Sequence, residues 1–317
     1  MKDKGKDGAS MEEMKISQDM FEFDPSNGND AEKIAKPSVT YLKDAIRRYR
    51  QNKVATVAMG ILILILVMSV IVPMLSPYDY SMQDYLNINA KPSFQYWFGT
   101  DDLGRDIFVR CWEGARVSLM IAFVSVFLNS TIGIIYGGIS GFFGGWVDNI
   151  MMRIVEVISS VPSMLWMIIL TIVLKPGVTT LIIALAATGW GGMARLFRGQ
   201  VLQLREMEYV QVSRTLGAKP LWVILKHLLP NAMSPIITSM AFAIPSAIFA
   251  ESFLSYIGLG LPMPLASWGI LASEGANKLL TYPYQLFFPA ILISITMLCF
   301  NLIGDGLRDA LDPNLRD

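Results

Sequence analysis

The sequence predicts an all-α polytopic membrane protein of six transmembrane helices, and three observations carry that expectation. Hydrophobic residues make up 53% of the 317 and charged residues only 16%, whereas a water-soluble chain carries about 25% charged residues. The apolar residues come in long unbroken runs, and roughly 18 or more without a charge is the length at which a helix crosses a bilayer. Basic residues gather in those loops that an even number of spans places on one side.

Residues 1–40 are polar, with clusters such as Asp24-Pro25-Ser26-Asn27-Gly28-Asn29-Asp30. They are expected to form a disordered cytoplasmic tail, because they cannot bury enough apolar area to offset the entropy of ordering. The first apolar run starts only at Val54, too late for a cleaved signal, so it is expected to be an uncleaved first span.

A membrane domain over 41–317 follows, with spans expected at about 54–75, 117–138, 154–174, 178–196, 232–251 and 284–304. The first is rich in Ile, Leu, Val and Met, with Pro73 near its end. The stretch from Val117 to Val147 is long and glycine-rich, which favours a span followed by a tight turn over a single over-long helix. Pro162 lies inside the third span and Glu156 near its start. Pro235 and Pro245 interrupt the fifth run, and Pro283 and Pro289 the sixth. Membrane helices tolerate such prolines because neighbouring helices and water can satisfy the freed carbonyls. Ser252 to Ser273 is uncharged but holds Gly258, Gly260, Pro262, Pro264 and Gly269, so a loop or short interfacial helix is expected there.

Arg47, Arg48, Arg50 and Lys53 precede the first span and place that side in the cytoplasm by the positive-inside rule. The loop 198–231 is flanked or crossed by Arg195, Arg198, Arg205, Arg214, Lys219 and Lys226, and falls on the same side. The segment 76–114 carries more acids than bases and falls outside. Both termini are then cytoplasmic.

The loop 198–231 is the most informative segment. Tyr209, Val212 and Leu216 share one face of a short helix among charged residues. Gly217 stands where such a helix ends in a left-handed turn. Pro220 suits the first turn of a second helix running to about Leu229. Such a cytoplasmic hairpin serves either as a rigid knob for a cytosolic partner or as an amphipathic loop against lipid headgroups.

This loop resembles the EAA coupling motif of ABC-importer permeases. Gln211-Val212-Ser213 stands where E-A-A would, Gly217 at the motif glycine, and His227-Leu228-Leu229-Pro230 at its closing I-x-L-P; only the glycine, the last leucine and the proline match letter for letter. Phe98-Gly99-Thr100-Asp101-Asp102-Leu103-Gly104-Arg105-Asp106 and Gly114-Ala115-Arg116-Val117-Ser118-Leu119 resemble the external segment of the dipeptide/oligopeptide and nickel permeases of the "C" type. So do Arg48 to Gly60, Glu251 to Gly260 and Gly304 to Pro313. The likeness covers about residues 45–317 and excludes the tail.

The resemblance implies a type I importer permease in the plasma or inner membrane of a prokaryote. It implies a second homologous permease subunit, two cytosolic ABC ATPases and an extracytoplasmic substrate-binding protein as partners. ATP and Mg would belong to the ATPases, with no cofactor or enzymatic reaction in this chain. Its ATPase-coupling residues would be Glu208, Tyr209, Gln211, Val212, Ser213, Leu216, Gly217, Ala218 and Pro230. The cargo would be oligopeptides or dipeptides, with nickel as the alternative.

Other features have plainer readings. Gly99-x4-Gly104 lacks the Lys-Ser/Thr pair of a phosphate loop. His227 lacks metal-ligand partners, and Cys111 and Cys299 are far apart without metal-type spacing. Glu251, at the outer end of the fifth span, would either meet a peptide ammonium in the pathway or brace a neighbouring helix. Zero net charge gives nucleic-acid binding no support. A stand-alone ion-coupled transporter would favour inverted repeats and charged midplane residues, and neither is visible. No HExxH, GxSxG or paired-carboxylate pattern points to a membrane enzyme.

Overall fold

The computed structural model describes residues 41–312; the tail 1–40 lies outside the described residues. All packing considered below lies within the unit Ala45–Asp317. Among the described residues the chain forms helices joined by loops and turns, with one isolated bridge, Thr100 to Asp106. Helix α1 (Tyr41–Gln51) precedes α2 (Lys53–Leu75), whose first turn is capped by the Asn52 side chain accepting from the Ala55 amide. There follow α3 (Ile107–Phe143), α4 (Gly145–Ser160), α5 (Ser163–Leu174) and α6 (Val178–Leu204). The hairpin consists of α7 (Glu208–Thr215), α8 (Pro220–Val223), a π-turn (Ile224–Leu228) and α9 (Leu229–Asn231). The chain closes with α10 (Met233–Tyr256), α11 (Trp268–Ala276) and α12 (Tyr284–Leu311).

Among the described residues five helices (α2, α3, α6, α10 and α12) are long and apolar enough to cross a membrane, and the pair α4–α5 makes a sixth if taken as one bent span. That pair bends by 79°, so the run 154–174 is not one straight helix. The break follows from Pro162, which offers no N–H and holds Val161 in extended backbone at φ −94° and ψ 131°.

The expectation of a tight turn after a short second span is also corrected. Helix α3 runs unbroken for 37 residues and ends only at Gly144, and its N-terminus at Ile107 takes in the end of the segment 76–114. Its glycines are not turn residues. A Cβ at Gly133, Gly137 or Gly141 would lie 2.6 Å from Met193 Cβ, 2.3 Å from the Ala194 carbonyl and 2.9 Å from Val201 Cβ. The four-residue spacing makes a smooth stripe on which α6 lies almost backbone to backbone, the usual way membrane helices gain close contact.

Three further boundaries differ from expectation. Helix α6 continues to Leu204, so the first part of loop 198–231 belongs to the long helix. Helix α12 continues to Leu311. The stretch 252–273 is neither all loop nor one helix: α10 extends to Tyr256, a loop follows, and α11 starts at Trp268, capped by Ser267 accepting from the Ile270 amide.

Helix α3 is the centre of the fold. One apolar cluster joins its Trp112, Leu119 and Ala122 to Leu62 and Ile65 of α2, Ile248 of α10, and Phe300 and Ile303 of α12. A second joins its Ile121 to Met167, Leu181 and Leu254 of α5, α6 and α10. The outer faces of α2 and α12 leave Ile63, Leu64, Val67, Phe287 and Leu298 exposed, an arrangement that hydrocarbon rather than water accommodates.

Candidate functional site

The hairpin between α6 and α10 is built around Gly217. Its φ of +81° lies in the left-handed region that side chains disfavour. The Ala218 amide donates to the Ser213 carbonyl at 3.1 Å and the Gly217 amide to the Arg214 carbonyl at 3.0 Å. This 6→1 and 5→2 pair is a Schellman closure, which satisfies the last carbonyls of α7. Pro220 then occupies the first turn of α8, where its missing N–H costs nothing. The expected second helix runs on to Asn231 through the π-turn. That widened turn precedes Pro230, which cannot donate to the carbonyl one turn back.

One face of the hairpin is fixed to the body. Val210, Val223 and Leu228 are each 0% exposed and join Phe142, Phe197, Val201 and Ile236 in one apolar cluster, with Ala218 against its edge. Arg205 Nη1 donates to the Gly141 carbonyl at 2.9 Å, and the Arg214 guanidinium stacks over Phe142 at 5.2 Å. Arg198 forms a two-pronged ion pair with Asp148, which also accepts from Ser140. Several arginines that mark this side in the sequence therefore bind α3 and α4 as well.

The other face points away from the protein. Tyr209, Val212 and Leu216 are exposed together, Leu216 at 82%. Leu221, Trp222 and Leu225 of the second helix are exposed beside them. These three were not among the expected site residues, although their i, i+1, i+4 spacing in the sequence was a usable signal. His227 ties the two helices together: its ring lies 5.9 Å from Tyr209 and 4.9 Å from Trp222, and its Nε2 is 3.4 Å from Ser213 Oγ. Glu208 opens α7, where a carboxylate favours the positive end of the helix dipole. Gln211 donates to the Glu206 carbonyl at 3.0 Å, and Pro230 is exposed at the far end of the hairpin.

At the opposite end of α3 lies a cap that sequence reasoning noticed only as a motif. Arg105 and Arg110, both buried, converge on Asp101. Arg105 Nε meets Asp101 Oδ2 at 2.6 Å, and Arg110 donates to the same oxygen. Both arginines also reach Glu274 of α11, at 3.3 and 3.2 Å. Gly104, at φ +75°, comes so close to Asp84 that a Cβ would lie 1.8 Å from its carbonyl oxygen. Hydrogen bonds from Asn87, the Leu86 amide and Tyr96 hold the Asp84 carboxyl below its ordinary range. Burial, with Asp84 beside it, pushes the Tyr96 phenol up to about 12.

Glu251 is 0% exposed. Its carboxylate accepts from Ser118 of α3 at 3.0 Å and from Ser255 of α10 at 2.9 Å, and Ser118 accepts in turn from the Trp268 amide of α11. Of its two expected roles, these contacts are those of a brace. Contact with cargo would require the surrounding helices to part.

Residues 130–317 match the family of binding-protein-dependent transport system inner membrane components, and residues 40–92 match the N-terminal membrane domain of oligopeptide transport permease C. The oligopeptide transport system permease OppC of Bacillus subtilis is 54% identical over 95% of this chain and 99% of its own length. The dipeptide transport system permease DppC of the same organism is 48% identical over 95% of this chain and 94% of its own length. A solved methionine ABC transporter in an inward-facing form covers 65% of this chain and 96% of its own at 20% identity, with a TM-score of 0.48.

Proposed function

The chain belongs to the inner-membrane permeases of binding-protein-dependent transport systems, in their oligopeptide/dipeptide C-type branch, and from that premise we propose that it walls one side of a peptide pathway and couples it to cytosolic ATPases through the hairpin. It is a multi-pass transmembrane permease subunit of an ABC importer. Its similarity to peptide permeases favours peptides over nickel as cargo.

The hairpin end and both termini face the cytoplasm in this proposal. One observation carries the coupling role: the hairpin keeps its inner face locked to α3 and α6 while presenting Tyr209, Val212, Leu216, Leu221, Trp222 and Leu225 outward. A headgroup-bound loop would bring arginines and apolar groups to the membrane together. Here Arg198 and Arg205 are turned onto Asp148 and Gly141, and Arg214, although exposed, lays its guanidinium over Phe142. The outward apolar knob suits a groove on a folded partner.

Each ATPase of a pair would hold one such knob, this chain's and that of a second homologous permease. ATP and Mg bind between the ATPases, and an extracytoplasmic binding protein delivers the peptide to the cap end. Within this chain Glu208 and Gln211 shape the start of α7, Ser213 with His227 and Gly217 with Ala218 fix the angle between the helices, and Pro230 ends the hairpin. The residues that would touch the ATPase are Tyr209, Val212 and Leu216 of α7 with Leu221, Trp222 and Leu225 of the second helix.

Gly217→Pro tests this reading, since proline cannot adopt φ of +81°. The variant is expected to insert into membranes at wild-type level but to lose ATPase co-purification. Wild-type yield of the ATPases would sink the proposal.

A further inference from the structure

Two cavities lie one above the other against α10. The first, of about 440 Å³, takes Asn129 and Ser130 from α3, Ser163 from α5, Thr188 from α6, and Ser239 and Ser246 from α10. No charged residue lines it. The second, of about 610 Å³, lies nearer the hairpin, between Gln200 of α6, Ser234 and Thr238 of α10, and Arg308 and Asp312 at the end of α12. Ser239 and Phe242 line both cavities.

The order of residues is consistent along each helix. On α6 the first cavity is lined between Leu185 and Met193 and the second between Leu196 and Gln200. On α10 the second uses Ser234 to Phe242 and the first Ser239 to Ala247. The pair is therefore a column along the helix axes with a step at Phe242.

The lining of the first cavity fits a cargo recognised by groups that all peptides share. Hydroxyls and an amide can pair with backbone N–H and C=O whatever the side chains. A fixed charge in this low-dielectric region would trap some peptides and reject others. Asn129 adds a specific offer. Its Nδ2 donates to the Leu185 carbonyl at 3.3 Å, while its Oδ1 is buried without a hydrogen-bond partner. A buried acceptor left so is costly, and turning the amide toward the cavity would present that oxygen to a cargo N–H.

Phe242 has a resting place made by a missing side chain. A Cβ at Gly304 of α12 would come 3.0 Å from two carbons of its ring. The ring packs there because residue 304 is glycine, at the point where the linings of the two cavities meet.

We infer that the two cavities are successive stations for an extended peptide, and that Phe242, parked against Gly304, closes the step between them. This rests on the peptide-permease reading above. The test uses the full complex, with both permeases, the ATPases and the binding protein, reconstituted in vesicles with radiolabelled trialanine. Phe242→Ala is expected to raise ATP-independent leak of trialanine at least fivefold, and Phe242→Leu to raise it less. Gly304→Ala, which crowds the ring toward the step, is expected to lower ATP-driven uptake severalfold without leak. If Phe242→Ala does not assemble with the ATPases, Phe242→Leu and Gly304→Ala decide the question by their opposite signs. Wild-type leak in the Phe242 variants together with wild-type uptake in Gly304→Ala would overturn the gate. A wild-type complex that imports no trialanine would instead overturn the peptide reading.

Discussion

The cap around Asp101 and the hairpin around Gly217 sit at opposite ends of α3, and they settle their chemistry in opposite ways. The cap pairs its charges within itself: Arg105, Arg110, Asp101 and Glu274 neutralise one another, although Arg110 Nε is buried without a hydrogen-bond partner, and Gly104 lets its backbone pass against Asp84. The hairpin closes on one side only, through Val210, Val223 and Leu228, and leaves six large apolar side chains in the open. A region whose charges pair within the chain contributes stability to its own chain. A region left open on one face would, in the proposed coupling role, gain its remaining stability from another chain.

That contrast can be broken by experiment, and the largest expected effect is in the cap. Asp101→Ala leaves two buried guanidinium groups with the single carboxylate of Glu274 and is expected to cost about 3–5 kcal/mol, seen as a lower unfolding temperature of the purified subunit. An unchanged temperature would mean that the cap is not self-sustaining. Next comes the hairpin with the opposite signature. Leu216→Asp is expected to leave stability within about 0.5 kcal/mol while weakening ATPase binding about tenfold or more, measured by titrating the ATPases onto the permease pair. Loss of stability without loss of binding would erase the distinction.

Glu251 sharpens the comparison, because it braces the elements next to the cap. Glu251→Gln keeps an acceptor for one serine and an amide that the other can receive, so a cost of about 1 kcal/mol and normal peptide uptake are expected. Abolished uptake in a stable Glu251→Gln protein would return this residue to the pathway. The smallest effect concerns Asp84, whose carboxyl is held below its ordinary range. Its contribution is present above the unfolded carboxylate value of about 3.9 and is lost as pH falls through the lower folded value. A loosening of the cap confined to pH below about 4, followed by tryptophan fluorescence near Trp97 and absent in Asp84→Asn, is expected.

The spans were legible because burial in hydrocarbon demands unbroken apolar runs, and the hairpin joint because Gly217 and Pro220 carry local backbone rules. Three features were hidden for physical reasons. A glycine run reads alike as a turn or as a contact stripe, and only the position of α6 decides that Gly133, Gly137 and Gly141 are the latter. The pairing of Arg105 and Arg110 with Glu274 spans more than 160 residues of sequence, beyond the reach of any local pattern. Which face of α7 would be buried was undetermined as well, since Val210 and Val212 are both apolar and only tertiary packing separates them. The bend at Pro162 was signalled by its residue, but proline is tolerated in other spans here, at Pro73, Pro245 and Pro289.

The glycine stripe of α3 has a mechanical meaning. At 37 residues the helix is a rod of about 55 Å, and its tight seam with α6 leaves little compliance between the two. Arg205 clamps the rod at Gly141, and Asp106 caps its far end beside the Asp101 network. In the proposed coupling role, a push delivered at Leu216 would reach the other end of the molecule as displacement rather than being absorbed as flexing along the way. A bulkier residue at Gly137 would act as a soft bearing in that shaft: force would still be generated and ATP still spent, but the stroke at the cap would shorten.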